Sequence, residues 1–260
     1  MKNTLKTLTS VLLLTTSLSA RENPQRHTLS LGLEGQKYTY NETVDGKKFM
    51  ELKSMMGGIN ASYRFQPNIL FLSPEIRYLR GKENYQSEDS GKLSGIPSHL
   101  FEGRVLIGLD VYSVNRLKFS PYTGIGYRYK QDDSHLKKTD LGCDGYKREN
   151  HAFYIPVGME VSYAFNEKSS FSLKGEYDSL IRGTQHSHMG ILGTEKLTHK
   201  QTSGYGFKTE AMISLKMTSC HVSFGPYLHY WKIKDSEKKD DSLEPQNKTI
   251  EPGLKIKWTF

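Results

Sequence analysis

From Thr28 onward apolar and polar residues alternate with a period of two, the pattern of a strand with one apolar face. Leu29, Leu31 and Leu33 interleave with Ser30, Gly32 and Glu34, and Ile59, Ala61, Tyr63 and Phe65 with Gly58, Asn60, Ser62 and Arg64. Further runs cover about 70–78, 102–111, 119–129, 153–165, 171–178, 205–215, 222–230 and 250–260, so the pattern predicts ten strands.

The connections between these runs alternate in length. Segments of a few residues at 66–68, 114–116, 166–169 and around 218–219 read as tight turns. Longer polar segments at 41–48, 82–99, 131–150, 183–203 and 234–248 read as five loops. A soluble sandwich obeys no such rule, whereas a transmembrane barrel carries short turns on one rim and long loops on the other. Tyr63 with Phe65, Tyr127 with Tyr129, Tyr163 with Phe165 and Trp258 with Phe260 sit near strand ends, where aromatic girdles meet lipid headgroups.

The last eight residues, Gly253-Leu254-Lys255-Ile256-Lys257-Trp258-Thr259-Phe260, alternate to a terminal Phe. That run resembles the C-terminal strand of bacterial outer-membrane β-barrel proteins, a resemblance that extends over the whole mature chain through its alternation and loop asymmetry. The resemblance implies an all-β, antiparallel, up-and-down transmembrane barrel of ten strands, in preference to eight or twelve. It also implies both termini in the periplasm, and recognition of Trp258 and Phe260 by the outer-membrane assembly machinery. Closure follows from insertion, because a sheet in lipid must satisfy its own edge hydrogen bonds.

Composition narrows the choice. A mean hydropathy of −0.61 excludes a bundle of apolar helices, and 16 Tyr with 11 Phe exclude a disordered chain. Lys2 and Lys6, the apolar Val11-Leu12-Leu13-Leu14 and the small Ser17-Leu18-Ser19-Ala20 predict a secretory signal peptide at 1–20. No Cys follows Ala20 to take a lipid. The barrel domain is then 21–260. The formal charge of +8 falls to +6 without Lys2 and Lys6, a mild excess that suits anionic headgroups or polysaccharide and, in an exported protein, excludes nucleic acid.

By parity the inward faces carry Glu34, Glu75, Glu102, Asp110, Glu160, Glu176, Asp178, Glu210 and Glu251, against Arg64, Arg77, Arg104, Arg128, Lys174, Arg182, Lys208, Lys255 and Lys257. So even a balance predicts paired charges bridging the lumen, not a single-sign eyelet that selects ions. An open aqueous channel belongs to barrels of roughly 16 strands, so a wide porin is not expected.

Ten strands is also the architecture of the omptin surface proteases, but their acidic pair and Asp-His pair find a poor match here. Asp132-Asp133 and Asp240-Asp241 are adjacent acids, and the constellation singled out is Glu176-Tyr177-Asp178 with His186-Ser187-His188 beyond it. His186 and His188 share a face at i and i+2, which suits a metal, but a solvated loop is the better account of them. His221-Val222-Ser223 has the His-x-Ser spacing of outer-membrane lipid hydrolases without an evident third member. Cys143 and Cys220 fall on opposite rims and are expected as free thiols. Lys137, Lys138, Lys147, Arg148, Lys196 and Lys200 in the loops are candidates for lipopolysaccharide phosphates or host polyanions, and a solvated surface accounts for them at least as well.

The sequence therefore predicts a non-enzymatic surface or structural protein of the Gram-negative outer membrane, with no catalytic, metal or cofactor site. The partners expected are outer-membrane lipid and lipopolysaccharide, the assembly machinery and an extracellular macromolecule. A narrow channel for small solutes or ions is the alternative, and an omptin-like hydrolase a third.

Overall fold

The computed structural model describes residues 27–112, 116–189, 195–238 and 242–260. The expected signal peptide lies outside them. The chain meanders through β1 (His27–Val44), β2 (Lys47–Phe65), β3 (Leu70–Ser87), β4 (Gly91–Leu109), β5 (Val111–Tyr112), β6 (Leu117–Asp133), β7 (Lys147–Ala164), β8 (Ser169–Met189), β9 (Glu195–Gln201), β10 (Gly204–Lys216), β11 (His221–Ile233) and β12 (Gln246–Thr259). Every pairing is antiparallel, and β12 returns to β1 with Leu31 opposite Trp258 and Glu34 opposite Lys255. The sheet thus closes as ten staves. β5 continues β4 along β6, while β9 and β10 run along the upper and lower parts of β8.

Outward-facing Leu29, Leu31, Leu33, Ile59, Leu72, Ile76, Val105, Ile107, Ile125, Val157, Leu173, Phe224 and Leu254 are all more than a third exposed. Together they form an apolar band at the lower end, the end that holds both termini and the short turns. Tyr63, Phe65, Tyr163 and Phe165 edge the band below, and Tyr78, Tyr127, Tyr177, Tyr205 and Tyr230 edge it above. Phe260 ties the seam through backbone bonds to Leu29 of 2.8 and 3.2 Å.

The strands do not stop at the band. An 18-residue strand such as β1 is nearly twice the roughly 9–11 residues that cross a bilayer at a tilt, so the upper half of the barrel projects beyond it. Most of the expected loops are therefore paired strand. Segment 41–48 is the tip of a hairpin turned by Asp45 and Gly46, whose φ values of 49° and 75° match the two-residue turn that suits strand twist. Segment 82–99 is likewise paired, β3 reaching Ser87 and β4 starting at Gly91, and most of 183–203 belongs to β8 and β9. Among the described residues, irregular connections are found at 134–146, 234–238 and 242–245.

One parity assignment fails. The β7–β8 register slips so that Phe153 faces Arg182 while Tyr154 faces Leu180. The extra residue turns both Ile181 and Arg182 outward, as a bulge does. Inside, apolar residues pack in three groups: Tyr38, Tyr40, Met50, Leu52, Met56, Leu79 and Leu100 high on one wall, Ala152, Tyr154, Leu180 and Trp231 on the facing wall, and Phe71, Leu106 and Tyr122 lower down. Glycine seats some of these rings. A Cβ at Gly126 would lie 2.2 Å from the Tyr154 ring, and one at Gly206 would lie 2.9 Å from Trp231, so both rings lie flat against bare backbone.

Candidate functional site in the barrel lumen

The strand period aims every second side chain into the lumen, and closure then brings together residues far apart in sequence. In the lowest tier Asp110 accepts from Arg64 Nη2 at 2.6 Å, Ser120 Oγ at 2.7 Å and Gln66 Nε2 at 2.9 Å, and Lys118 Nζ stands 3.5 Å away. Above it Arg104 joins β3 to β8, donating to Glu75 at 2.8 Å and to Glu176 at 2.7 Å, and Tyr122 adds a bond to Glu176 at 2.8 Å. Lys255 meets Glu210 at 2.5 Å.

The middle tier crosses the whole barrel. Arg128 on β6 pairs with Glu251 on β12, five staves away around a ring of ten. Lys208 contacts Glu102 at 2.6 Å, Glu176 at 3.2 Å and Asp178 at 3.2 Å, and Tyr154 donates to Glu102. Arg77 lies 3.4 Å from Glu34, 3.6 Å from Glu102, 3.7 Å from Glu251 and 2.5 Å from His229 Nδ1, and donates to Gln36 at 2.7 Å. Glu251, Asp178 and Tyr154 are fully buried. Chemically this is a charge network that spans the lumen, with oppositely charged groups joined across it at contact distance.

Among the described residues, three that the sequence assigned inward, Glu160, Lys174 and Lys257, stand apart from these pairs. Glu160 accepts from Ser162 at 3.2 Å, and Lys174 lies with its ammonium 4.9 Å from the centre of the Tyr122 ring.

Above the apolar band lies a third tier that the strand pattern did not show. Arg148 is 3.2 Å from Glu42 and 3.1 Å from Asp132, and Lys130 is 2.8 Å from Glu83 and 3.5 Å from Asp132. Glu244, in the connection before β12, accepts from Gln185 at 2.6 Å and lines a small cavity with Glu42, Asp132 and Arg148. Four acids here face two bases. Burial pushes the Glu244 carboxyl well above the usual carboxylate range, and the charge of Glu42 adds to the rise. Glu42 and Glu83 are also raised by burial, against the pull of Arg148 and Lys130 respectively. Burial acts on Asp132 too, but Arg148 and Lys130 together hold it below its ordinary value. Arg148, expected to reach lipopolysaccharide from a loop, is thus an inward residue of this tier and 5 % exposed.

A model of the outer membrane protein beta-barrel domain matches residues 7–212. The chain belongs to that family. Membership places this outer-membrane barrel in the Gram-negative outer membrane. Among solved structures it resembles the outer membrane protease OmpT from Escherichia coli with a TM-score of 0.61, 10% identity, and coverage of 93% of this chain and 99% of that one. At that identity the likeness speaks for the fold alone. OprG from Pseudomonas aeruginosa (TM-score 0.40, 10% identity, 89% and 95% covered) and Neisserial surface protein A (0.35, 10%, 88% and 96%) also match, at scores that carry no inference. No curated protein matches the chain.

In this outer-membrane barrel the hydrolase candidates do not assemble. Glu176 and Asp178 are held by Arg104, Tyr122 and Lys208 deep in the lumen. Asp132 points inward and Asp133 outward, while Asp240 and Asp241 lie outside the described residues. His186 and His188 face outward, bonded to Thr198 at 2.9 Å and Glu149 at 2.9 Å. Ser223 bonds to Ser214 at 2.7 Å, at the lower end. Among the described residues no cluster of three or more His, Cys, Asp or Glu is arranged to hold a metal. Cys143 and Cys220 are free thiols at opposite ends of the barrel.

Proposed function

We propose that the protein is a non-enzymatic, closed outer-membrane barrel that anchors itself to the phosphate groups of outer-leaflet lipopolysaccharide and presents its projecting hairpins to macromolecules outside the cell. The observation that carries this reading is a belt of cations. On six staves the first outward side chain above the apolar band is Lys or Arg: Lys37 above Gly35, Lys53 above Met55, Arg80 above Tyr78, Arg182 above Ile181, Lys232 above Tyr230 and Lys248 above Ile250. On three others it is His99, Gln131 or His151. Lys232 and Lys248 stand directly opposite each other across two strands. Two like charges side by side repel and destabilise a sheet, so the pair is best accounted for by an anion between them. The belt lies at the height of lipid headgroups, immediately above the tyrosine girdle. Lys196 and Lys200, which also face outward, extend the positive surface upward.

Replacing Lys37, Lys53, Lys232 and Lys248 together by Gln should abolish the stabilisation that lipopolysaccharide confers. The measurement is the temperature at which the folded band is lost on a gel, with and without added lipopolysaccharide. Saturating ligand at about 100 times Kd contributes about 2.7 kcal/mol to a binding-competent native state, a shift of several degrees. A variant stabilised as much as the native barrel, or a native barrel with no response, contradicts the reading.

A further inference from the structure

The charge network crosses the lumen in its middle, and below it the barrel is hollow. A cavity of about 1210 Å³ is walled by Thr28, Ser62, Arg116, Ser170, His221 and Thr259, among others, and these lie at the end that holds the termini and short turns. It is therefore a blind cup, and by the rule that short turns are periplasmic it opens to the periplasm. Its lining carries nine Lys and Arg against six Glu, and Asp110, Asp178 and Glu251 beside it pair with four of those cations, Arg64, Lys118, Lys208 and Arg77.

The surplus can be assigned to particular residues. Lys118 and Arg64 share one acid, Asp110. Lys174 faces Glu160 on one side and Glu210 on the other by strand register, yet among the described residues no acidic oxygen lies within 4 Å of its ammonium. Lys257 lies between Gly32 and Ser223 with no acid within that distance, and Arg116 donates to the Phe165 carbonyl at 2.6 Å. Glu160 is the one lining acid without a cation at contact distance among the described residues. A ring of hydroxyls, Ser30, Ser62, Ser162 and Ser223 among them, completes the wall. Cations that face the cup without an acid at contact distance attract anions from solution. Lysine ammoniums and hydroxyls together match the several oxygens and multiple charge of phosphate groups.

We propose that this cup binds a molecule bearing two or more phosphate charges, presented from the periplasmic side, with Lys174 and Lys257 as the principal contacts. Free oligophosphate and a phospholipid headgroup share that chemistry. Titration calorimetry on the full barrel in zwitterionic detergent tests the proposal, with pyrophosphate as one probe and short-chain phosphatidic acid as the other. Binding of either probe is expected. The Lys174→Gln/Lys257→Gln barrel should bind at least tenfold more weakly, and the Lys174→Arg/Lys257→Arg barrel should retain binding. The Lys37→Gln/Lys53→Gln barrel should also retain it, which separates the cup from the outer belt. Binding of pyrophosphate alone assigns a soluble ligand, and binding of the lipid alone a headgroup. Failure of both probes, equal affinity in the Gln barrel, or equally tight binding of citrate would overturn the assignment. A folded band on a gel establishes closure for each variant.

Discussion

Glu251→Ala should cost the barrel about 3–5 kcal/mol, the loss expected when one partner of a buried ion pair is removed and the other is left uncompensated. Glu251 is fully buried and serves Arg128, Arg77 and His229 at once. Without it Arg77 retains Glu34 and Glu102, but Arg128 keeps no acid at contact distance among the described residues. The cost is desolvation of a stranded guanidinium. The proper comparison is the double variant Arg128→Met/Glu251→Leu, which fills similar volume without charge. It should lie close to the native barrel, because replacing a buried pair by apolar groups is often neutral. Urea midpoints of the folded gel band measure both, and an unchanged slope shows that the midpoint reports stability. A Glu251→Ala barrel as stable as the native one would mean that the two groups do not meet across the lumen.

Arg148→Ala should be the second large effect, and unlike the first it should depend on pH. Its guanidinium stands between Glu42 and Asp132, above the apolar band, with Glu83 and Glu244 nearby. Glu42, Glu83 and Glu244 are raised by burial above 4.5 in the folded protein. Above pH 4.5 the folded state therefore holds protons that the unfolded chain has released, so stability falls as pH rises through that window. Asp132, held below 3.8, acts in the opposite sense only in stronger acid. Removing Arg148 takes away the main attraction holding Glu42 and Asp132 ionised. The variant should lose about 3–5 kcal/mol at pH 8 and recover much of it at pH 5. Equal losses at the two pH values would contradict the cluster.

These two sites differ in how far the sequence disclosed them. Glu251, Arg128, Arg77, Glu102 and Lys208 announce themselves because each sits opposite a lipid-facing apolar residue, so strict alternation assigns them inward. Neighbouring pairs such as Glu75 with Arg104 follow once adjacent strands are aligned. What alternation does not give is the partner across the barrel, since Arg128 meets Glu251 only after ten staves close. Arg148, Glu42, Glu83 and Lys130 were illegible for another reason. Above the band both faces of each strand are polar, so the period of two vanishes from hydropathy and strand reads as loop. The two-residue turn at Asp45-Gly46 was the available clue, being hairpin chemistry and not loop chemistry. Arg182 fell to a single bulge, which no periodic reading can place.

The belt has a related history. The loop lysines suggested lipopolysaccharide, whereas the belt we propose for it is Lys37, Lys53, Arg80, Arg182, Lys232 and Lys248, each set by its distance above the apolar band. Their signal lay in the first polar outward position after each apolar run.

Central to this account is a lumen closed by charges that meet across it, and planar-bilayer conductance of the refolded mature barrel tests that most directly. A barrel shown to be folded by its heat-dependent gel shift should stay electrically silent. Discrete, reproducible current steps from the native protein would contradict it.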